Sequence, residues 1–295
     1  MGEIVGAGLL AHVPTIVLSD HERRALNDGH ESSLYTGLHQ LRREVFDVLR
    51  PDLVVVFDSH WFTTVEFVIT SAPRRHGFFT SEELPRGMSS VPYDVPGSPD
   101  FAQLVGRIAA ATPECWITPI ENEHLPITYA TTNFLGFLQG SESWVSVSTC
   151  QTAEPSDFAT VGRVIGEAIA ASDLRVVLIA SGALSHTFHT LRTLRDHEAA
   201  DERHIFSDAA RRADHRVIDA LERGDHAQVL RELPDFALVK PEGRFGHYQM
   251  MVAALGGSAC VAPARRFSEY ENAIGTGQIH LWFDRPATGW TKEAS

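Results

Sequence analysis

Three short apolar runs constrain this chain most: IVGAGLL (4–10), LVVVF (53–57) and LRVVLIA (174–180). Each reads as a buried strand. Between them lie segments with helical period. In LYTGLHQLRREVFDVL (34–49), Leu34, Leu38, Leu41, Val45 and Val48 recur at helical spacing, and Arg50-Pro51-Asp52 ends the pattern. The stretch before it reads as a polar loop. The pattern predicts further helices over 101–111, near 128–139, over 156–171, roughly over 197–223 and 225–233, and late in 238–257. It predicts further strands at 65–70, 115–120 and 144–148, and near 258–262 and 278–283. Strands alternating with helices give an α/β fold with a central mixed sheet, flanked by helices, and a site at the strand carboxyl ends.

A single domain is expected over 1–295, with 284–295 as a tail. Residues 71–99 carry Pro73, Pro85, Gly87, Pro92, Pro96, Gly97 and Pro99. They read as an irregular lid or oligomer arm, because long ordered loops tend to be functional.

The strands end in chemistry. Leu10-Ala11-His12 and Asp58-Ser59-His60 each place a histidine just past a strand, and LRVVLIASGALSH reaches His186 through a glycine turn. Such residues are either hydrogen-bonded loop histidines or convergent ligands. Pro241-Glu242-Gly243 sets a carboxylate in a tight turn before a helix. It is either a helix-terminal charge favoured by the dipole or an anionic ligand. Two imidazoles and one carboxylate on one face of an octahedron leave open positions, the facial triad of non-haem Fe(II) chemistry.

Composition closes off other classes. The net charge is −13, and the lysines are only Lys240 and Lys292. A phosphate-binding surface needs clustered cations, so nucleic acid is not an expected partner. Cys115, Cys150 and Cys260 are far apart and show no CxxC spacing. That argues against a disulfide framework or a structural zinc site and for a reducing, cytoplasmic setting. No apolar run approaches the roughly 20 residues that span a bilayer, and the N-terminus lacks the basic region of a signal peptide.

AHVPTIVLSD (11–20), VVVFDSHWF (54–62), FFTSEELPRGM (78–88), IASGALSH (179–186), PEGRFGH (241–247) and GTGQIH (275–280) occur in this order. Together they resemble the class III extradiol ring-cleavage dioxygenases, most of all the homoprotocatechuate (3,4-dihydroxyphenylacetate) 2,3-dioxygenase branch, over nearly the whole chain. The resemblance implies Fe(II) held by His12, His60 and Glu242, with His186 as the acid/base catalyst. It implies a small aromatic diol and dioxygen as substrates, a ring-opened semialdehyde acid as product, and a homo-oligomer. A free imidazole titrates near neutral pH and suits proton removal and return.

The stretch NEHLPITYATTNF (122–134) departs from the pattern of relatives. His124 is a candidate second proton donor, with a surface loop as the alternative. Tyr129 and His247 are candidate substrate contacts, and Trp61 is a candidate pocket wall or core residue. Asp58 is either an acceptor orienting a ligand histidine or a strand-end cap. His189 reads as structural, His280 stays open, and the remaining histidines, His226 among them, read as solvated or interfacial. The altered stretch leaves gallate, aminophenol or hydroxypyridone rings as alternatives. A zinc hydrolase with the same ligands and a metal-free binding protein are the competing classes.

Overall fold

The computed structural model describes residues 1–292. The strands are β1 (Glu3–Leu10), β2 (Leu53–Thr63), β3 (Phe67–Thr70), β4 (Arg74–Phe79), β5 (Val91–Pro96), β6 (Ile117–Ile120), β7 (Ser143–Cys150), β8 (Arg175–Ser181), β9 (Ala264–Arg266), β10 (Glu271–Ala273), β11 (Thr276–Gln278) and β12 (His280–Asp284). Eight of them form one sheet in the order β6-β3-β7-β2-β8-β1-β12-β9. β7, β2, β8 and β1 run parallel, whereas β12 and β9 close one edge antiparallel. The expected mixed sheet is therefore present.

Its centre is apolar on both faces, as the unbroken runs require. Leu53, Val55 and Phe57 of β2 enter one core, and Val54 and Val56 enter the other. The first core is roofed by α4 (Pro99–Ala111), α6 (Pro155–Ala171) and α10 (Gly246–Ala254). The second is roofed by α2 (Ser33–Leu41) and α5 (Tyr129–Leu138). From α2 the chain continues through a π turn, Arg42–Phe46, into α3 (Asp47–Leu49), so the predicted 34–49 helix exists with one widened turn.

Some expectations need correction. The supposed polar loop before α2 contains α1 (Asp20–Leu26), opened by a reciprocal box in which Ser19 and Glu22 satisfy each other's amides. Residues 71–99 are not irregular throughout, because β4 and β5 pair as an antiparallel hairpin. Its prolines, Pro92 and Pro96, are tolerated because a two-stranded ribbon is all edge. The helix expected from 197 begins at Asp208, where Ser207 caps α7 (Asp208–Glu222), and only 3-10 turns precede it. The strand expected near 258–262 forms later, as β9. α8 (His226–Arg231) and α9 (Leu233–Phe236) share the 225–233 region.

The tail is pinned as far as it is described. Trp290 donates its indole N–H to the Ile4 carbonyl, and Thr291 bridges Cys260. Residues 293–295 of the expected tail lie outside the described residues. Among the described residues no helix is long and apolar enough to cross a membrane.

Candidate metal centre

β2, β8 and β1 lie side by side, and their register fixes the site. Leu10 pairs with Ser181, and Ser181 pairs with Asp58, so the three strands reach one level together. His12 and His60 each follow two residues past that level, on either side of Ser181.

His60 is set by a break in pairing. β2 pairs with β7 as far as Asp58–Ser148 and resumes at Phe62–Thr149, so Ser59, His60 and Trp61 bulge with no residue opposite. Asp58 holds this excursion. Its Oδ1 accepts the amides of His60 (2.9 Å) and Trp61 (2.8 Å), and its Oδ2 accepts the hydroxyls of Thr128 (2.7 Å) and Thr131 (2.9 Å). Asp58 thus steers His60 through the backbone. The acceptor reading of Asp58 therefore fits better than the strand-end cap, since β2 continues to Thr63, and the contact is to the His60 amide and not to its ring.

His12 is fixed from two directions. The Ser181 hydroxyl donates to the Ala130 carbonyl (2.6 Å), so its oxygen accepts from His12 Nδ1–H (2.9 Å). Nε2 is left facing Glu242, 3.3 Å from Oε1. Behind it, His280 accepts the Ala11 amide at Nδ1 and donates from Nε2 to the Leu34 carbonyl. His280 is fully buried, and burial pushes its pKa down to about 4, so it is a neutral strut.

Glu242 arrives from the far end of the chain. Gly243, Arg244 and Phe245 all have left-handed backbone, with φ of 53°, 58° and 58°. That turn lays Gly243 against Ser59, where a Cβ would come 3.2 Å from the serine Cβ. The Glu242 carboxylate accepts the Ser59 hydroxyl at Oε1 (2.8 Å) and the Ala183 amide at Oε2 (2.6 Å). Its side chain turns toward His12 and does not cap α10.

One ligand atom each from His12, His60 and Glu242 lies within 4.8 Å of the others. Burial works against charge here, but the carboxylate beside His12 outweighs it and the net pKa of His12 is raised. Burial would raise Glu242, yet His12, His186 and His60 together hold it well below the usual carboxylate range. His60 is lowered by burial and by His12. The set offers two nitrogens and an ionised oxygen in a buried pocket, which fits a divalent cation.

Around this trio the structure separates the other candidates. His186 follows Ser185, whose amide and hydroxyl both reach the buried Asp214 carboxylate (2.9 and 2.6 Å). Its own amide donates to the Lys240 carbonyl (3.1 Å), which ties it to the Glu242 turn. It contributes no atom to the trio. His247 is fully buried at the start of α10, and neither ring nitrogen has a protein partner. Burial pushes its pKa down to about 3. A neutral buried imidazole with two free nitrogens calls for a ligand or an ordered water.

The Tyr129 hydroxyl donates to Glu83 Oε2 (2.7 Å) and lies 2.5 Å from His60 Nε2. Burial and Glu83 push its phenol up, so it stays protonated. Trp61 is buried, with its amide held by Asp58 (2.8 Å).

His124 is not brought to the site. Its side chain is 84% exposed, and its nearest charged neighbour is Glu123 at 3.6 Å. Asn122 caps its amide (2.8 Å) in a turn that faces outward, so the surface-loop alternative holds. His226 is also corrected. It is fully buried, between the Tyr248 hydroxyl and the Ala262 carbonyl. His189 is structural, stacked on His197 at 3.5 Å.

Ser59, Ser181, Glu83 and Asp214 were not singled out from sequence. The first two sit inside the quoted strand-end motifs, and their polarity at a buried level was the available signal. Glu83 sits inside the quoted 78–88 motif, whereas Asp214 carried no signal, since it meets its partners only through the fold.

Residues 6–282 match the family model described as the catalytic LigB subunit of aromatic ring-opening dioxygenase. The chain is 26% identical over 264 residues to the Escherichia coli 3,4-dihydroxyphenylacetate 2,3-dioxygenase, covering 87% of this chain and 91% of that one. An uncharacterized protein of Escherichia coli K12 shares the fold, with a TM-score of 0.62 at 17% identity over 95% of this chain and 99% of that one.

Proposed function

Because the chain belongs to the LigB family of aromatic ring-opening dioxygenases, we propose that it cleaves a catechol-type ring with dioxygen at Fe(II) held by His12, His60 and Glu242. The observation that carries this reading is the trio itself: ligand atoms from β2, from the residues just past β1 and from the turn before α10 lie within 4.8 Å of one another. Fe(II), when bound, supplies positions for both ring oxygens and for dioxygen and a path for electrons between them.

The chain's own groups do the rest. His186, outside the trio, takes a proton from a ring hydroxyl and returns it as the ring opens. Tyr129, whose hydroxyl abuts His60 and donates to Glu83, is a substrate contact that stays protonated and moves no proton. His247 offers an uncharged nitrogen to substrate or dioxygen, since no protein group occupies it. Glu242 keeps its negative charge because His12, His186 and His60 surround it, and Ser59 and Ala183 hold its carboxylate in place. The product is a ring-opened semialdehyde acid. A diol head is the first choice, on the relative's name, with gallate, aminophenol and hydroxypyridone rings as runners-up. A homo-oligomer and a cytoplasmic setting belong to the same proposal; the latter is supported by three buried, unpaired cysteines.

The test is anaerobic loading with iron, followed by oxygen uptake and appearance of a yellow product on a panel of catechols, aminophenols and hydroxypyridones. Turnover on at least one ring is expected. Iron binding without any turnover sinks the reading, and activity with zinc without oxygen uptake moves the protein to the hydrolases. His186→Ala is expected to keep iron and lose roughly 10²–10⁴-fold in kcat. Normal turnover by that variant removes His186 from the acid/base role.

A further inference from the structure

A cavity of about 280 Å³ approaches the trio through two of its lining residues, although none of the three ligand residues lines it. Its lining includes Val13, next to His12, and Glu83, whose Oε1 is 3.7 Å from His60 Nε2. Beyond these it is largely apolar, with Pro14, Leu18, Leu34, Leu84 and Ile274. We infer that the ring substrate extends its substituent into this cavity, and that the substituent is apolar and carries no negative charge. This inference rests on the ring-cleavage reading above and departs from the acetate arm in the relative's name.

The argument is one of charge. Three carboxylates line the cavity, Glu83, Glu198 and Glu271, against a single cation, Arg23. Arg23 is already paired. Its Nε and Nη2 form a two-pronged pair with Glu31 (2.8 and 2.7 Å), and its Nη1 donates to the Leu18 carbonyl (2.5 Å). Its guanidinium plane also lies 3.6 Å from the centre of the Tyr35 ring. With its charge paired to Glu31 through that fork and three of its five N–H donors engaged, Arg23 is a poor partner for a second carboxylate.

Glu271 is as firmly placed. It accepts the Ser32 hydroxyl and the Ser33 amide, each at 2.6 Å, at the start of α2. An arm ending in a carboxylate would therefore meet like charge without a compensating cation, which disfavours binding.

The arginines that might have served an acid are elsewhere. Arg74 is exposed and paired with Asp94 on the β4–β5 hairpin. Arg244 donates to the Gln151 and Ala153 carbonyls and lines a different cavity. Arg86 is exposed and is not in the lining. The apolar walls, by contrast, gain from burying a hydrocarbon arm.

The deciding comparison is 3,4-dihydroxyphenylacetate against its methyl ester, which differ in charge with the ring kept. Binding is read by calorimetry on the iron-loaded protein without oxygen, and turnover by oxygen uptake. The ester is expected to bind about tenfold more tightly than the acid and to show the higher kcat/KM. Glu198→Lys is expected to close most of that gap, because it puts a free cation in the lining. Equal or tighter binding of the acid by the native protein overturns the inference, as does an ester-to-acid ratio unmoved by Glu198→Lys. If the ester binds preferentially but neither compound consumes oxygen, the assignment of the arm stands and the ring-cleavage reading falls.

Discussion

Gly182 and His247 define each other. A Cβ on Gly182 would lie 2.6 Å from two atoms of the His247 ring, closer than real contacts allow. The imidazole cannot retreat, because it is fully buried. Gly182→Ala is therefore expected to displace His247 and to cost about 1–3 kcal/mol of stability through overpacking. Iron affinity should survive, since the trio is untouched, while kcat falls; parallel iron titration and oxygen uptake separate the two effects.

Asp214 gives a residue-scale prediction of another kind. Burial raises its carboxyl to about 6 from the ordinary 3.8, although Ser185 and Tyr270 pull it down. An acid whose folded pKa lies above its unfolded value retains a proton on folding. Its contribution is fully present below about pH 4 and is lost as pH rises through about 6. In urea unfolding, the stability of the native protein relative to Asp214→Asn should decline across that window and stay flat above it. A difference independent of pH refutes the assignment. The variant also leaves one acceptor oxygen for three donors, so the His186 turn should loosen.

At the scale of elements, the excursion in β2 is what makes a strand into a ligand carrier. Asp58→Ala leaves two amides and two hydroxyls without their buried acceptor. It is expected to weaken metal affinity about 10–100-fold without touching a ligand, read by metal titration alongside urea denaturation. Unchanged affinity would mean that the bulge holds itself.

The apolar run of β2 and the polarity of its end were legible in DSHW. The bulge was not, because it exists only relative to β7, whose pairing resumes at Phe62. The β4–β5 hairpin was hidden by its prolines, which argue against central strands and say little about edges. His124 misled for a related reason, since proximity in sequence to Tyr129 does not carry a side chain around the turn at Asn122. His12 and His60 were legible because their motifs end apolar runs, but Glu242 entered the trio only through the family resemblance, and the strand order that unites them is a property of the fold.

For the whole molecule, a cation at the trio would join residues 12, 60 and 242, tying β1, β2 and the turn before α10. Ligand binding to the folded state alone adds about 2.7 kcal/mol at 100 times Kd. Iron added without oxygen should therefore raise the unfolding midpoint, a chelator should reverse the rise, and His12→Ala should abolish it. A midpoint indifferent to iron would place the metal elsewhere.

The sheet order also sets a timetable. β1 and β2 are not neighbours, because β8 lies between them, and the spacer that holds His12 is Ser181. A chain emerging from the ribosome has made both histidines long before it has made the strand that brings them together. Domains grow from the N-terminus during synthesis, and closing such distant pairings is slow. Until residue 181 has emerged the two imidazoles have no common frame, and until residue 242 has followed there is no carboxylate to complete the set. A metal held by this trio would thus be captured late in biogenesis, and a loaded centre would certify that nearly the entire chain has folded.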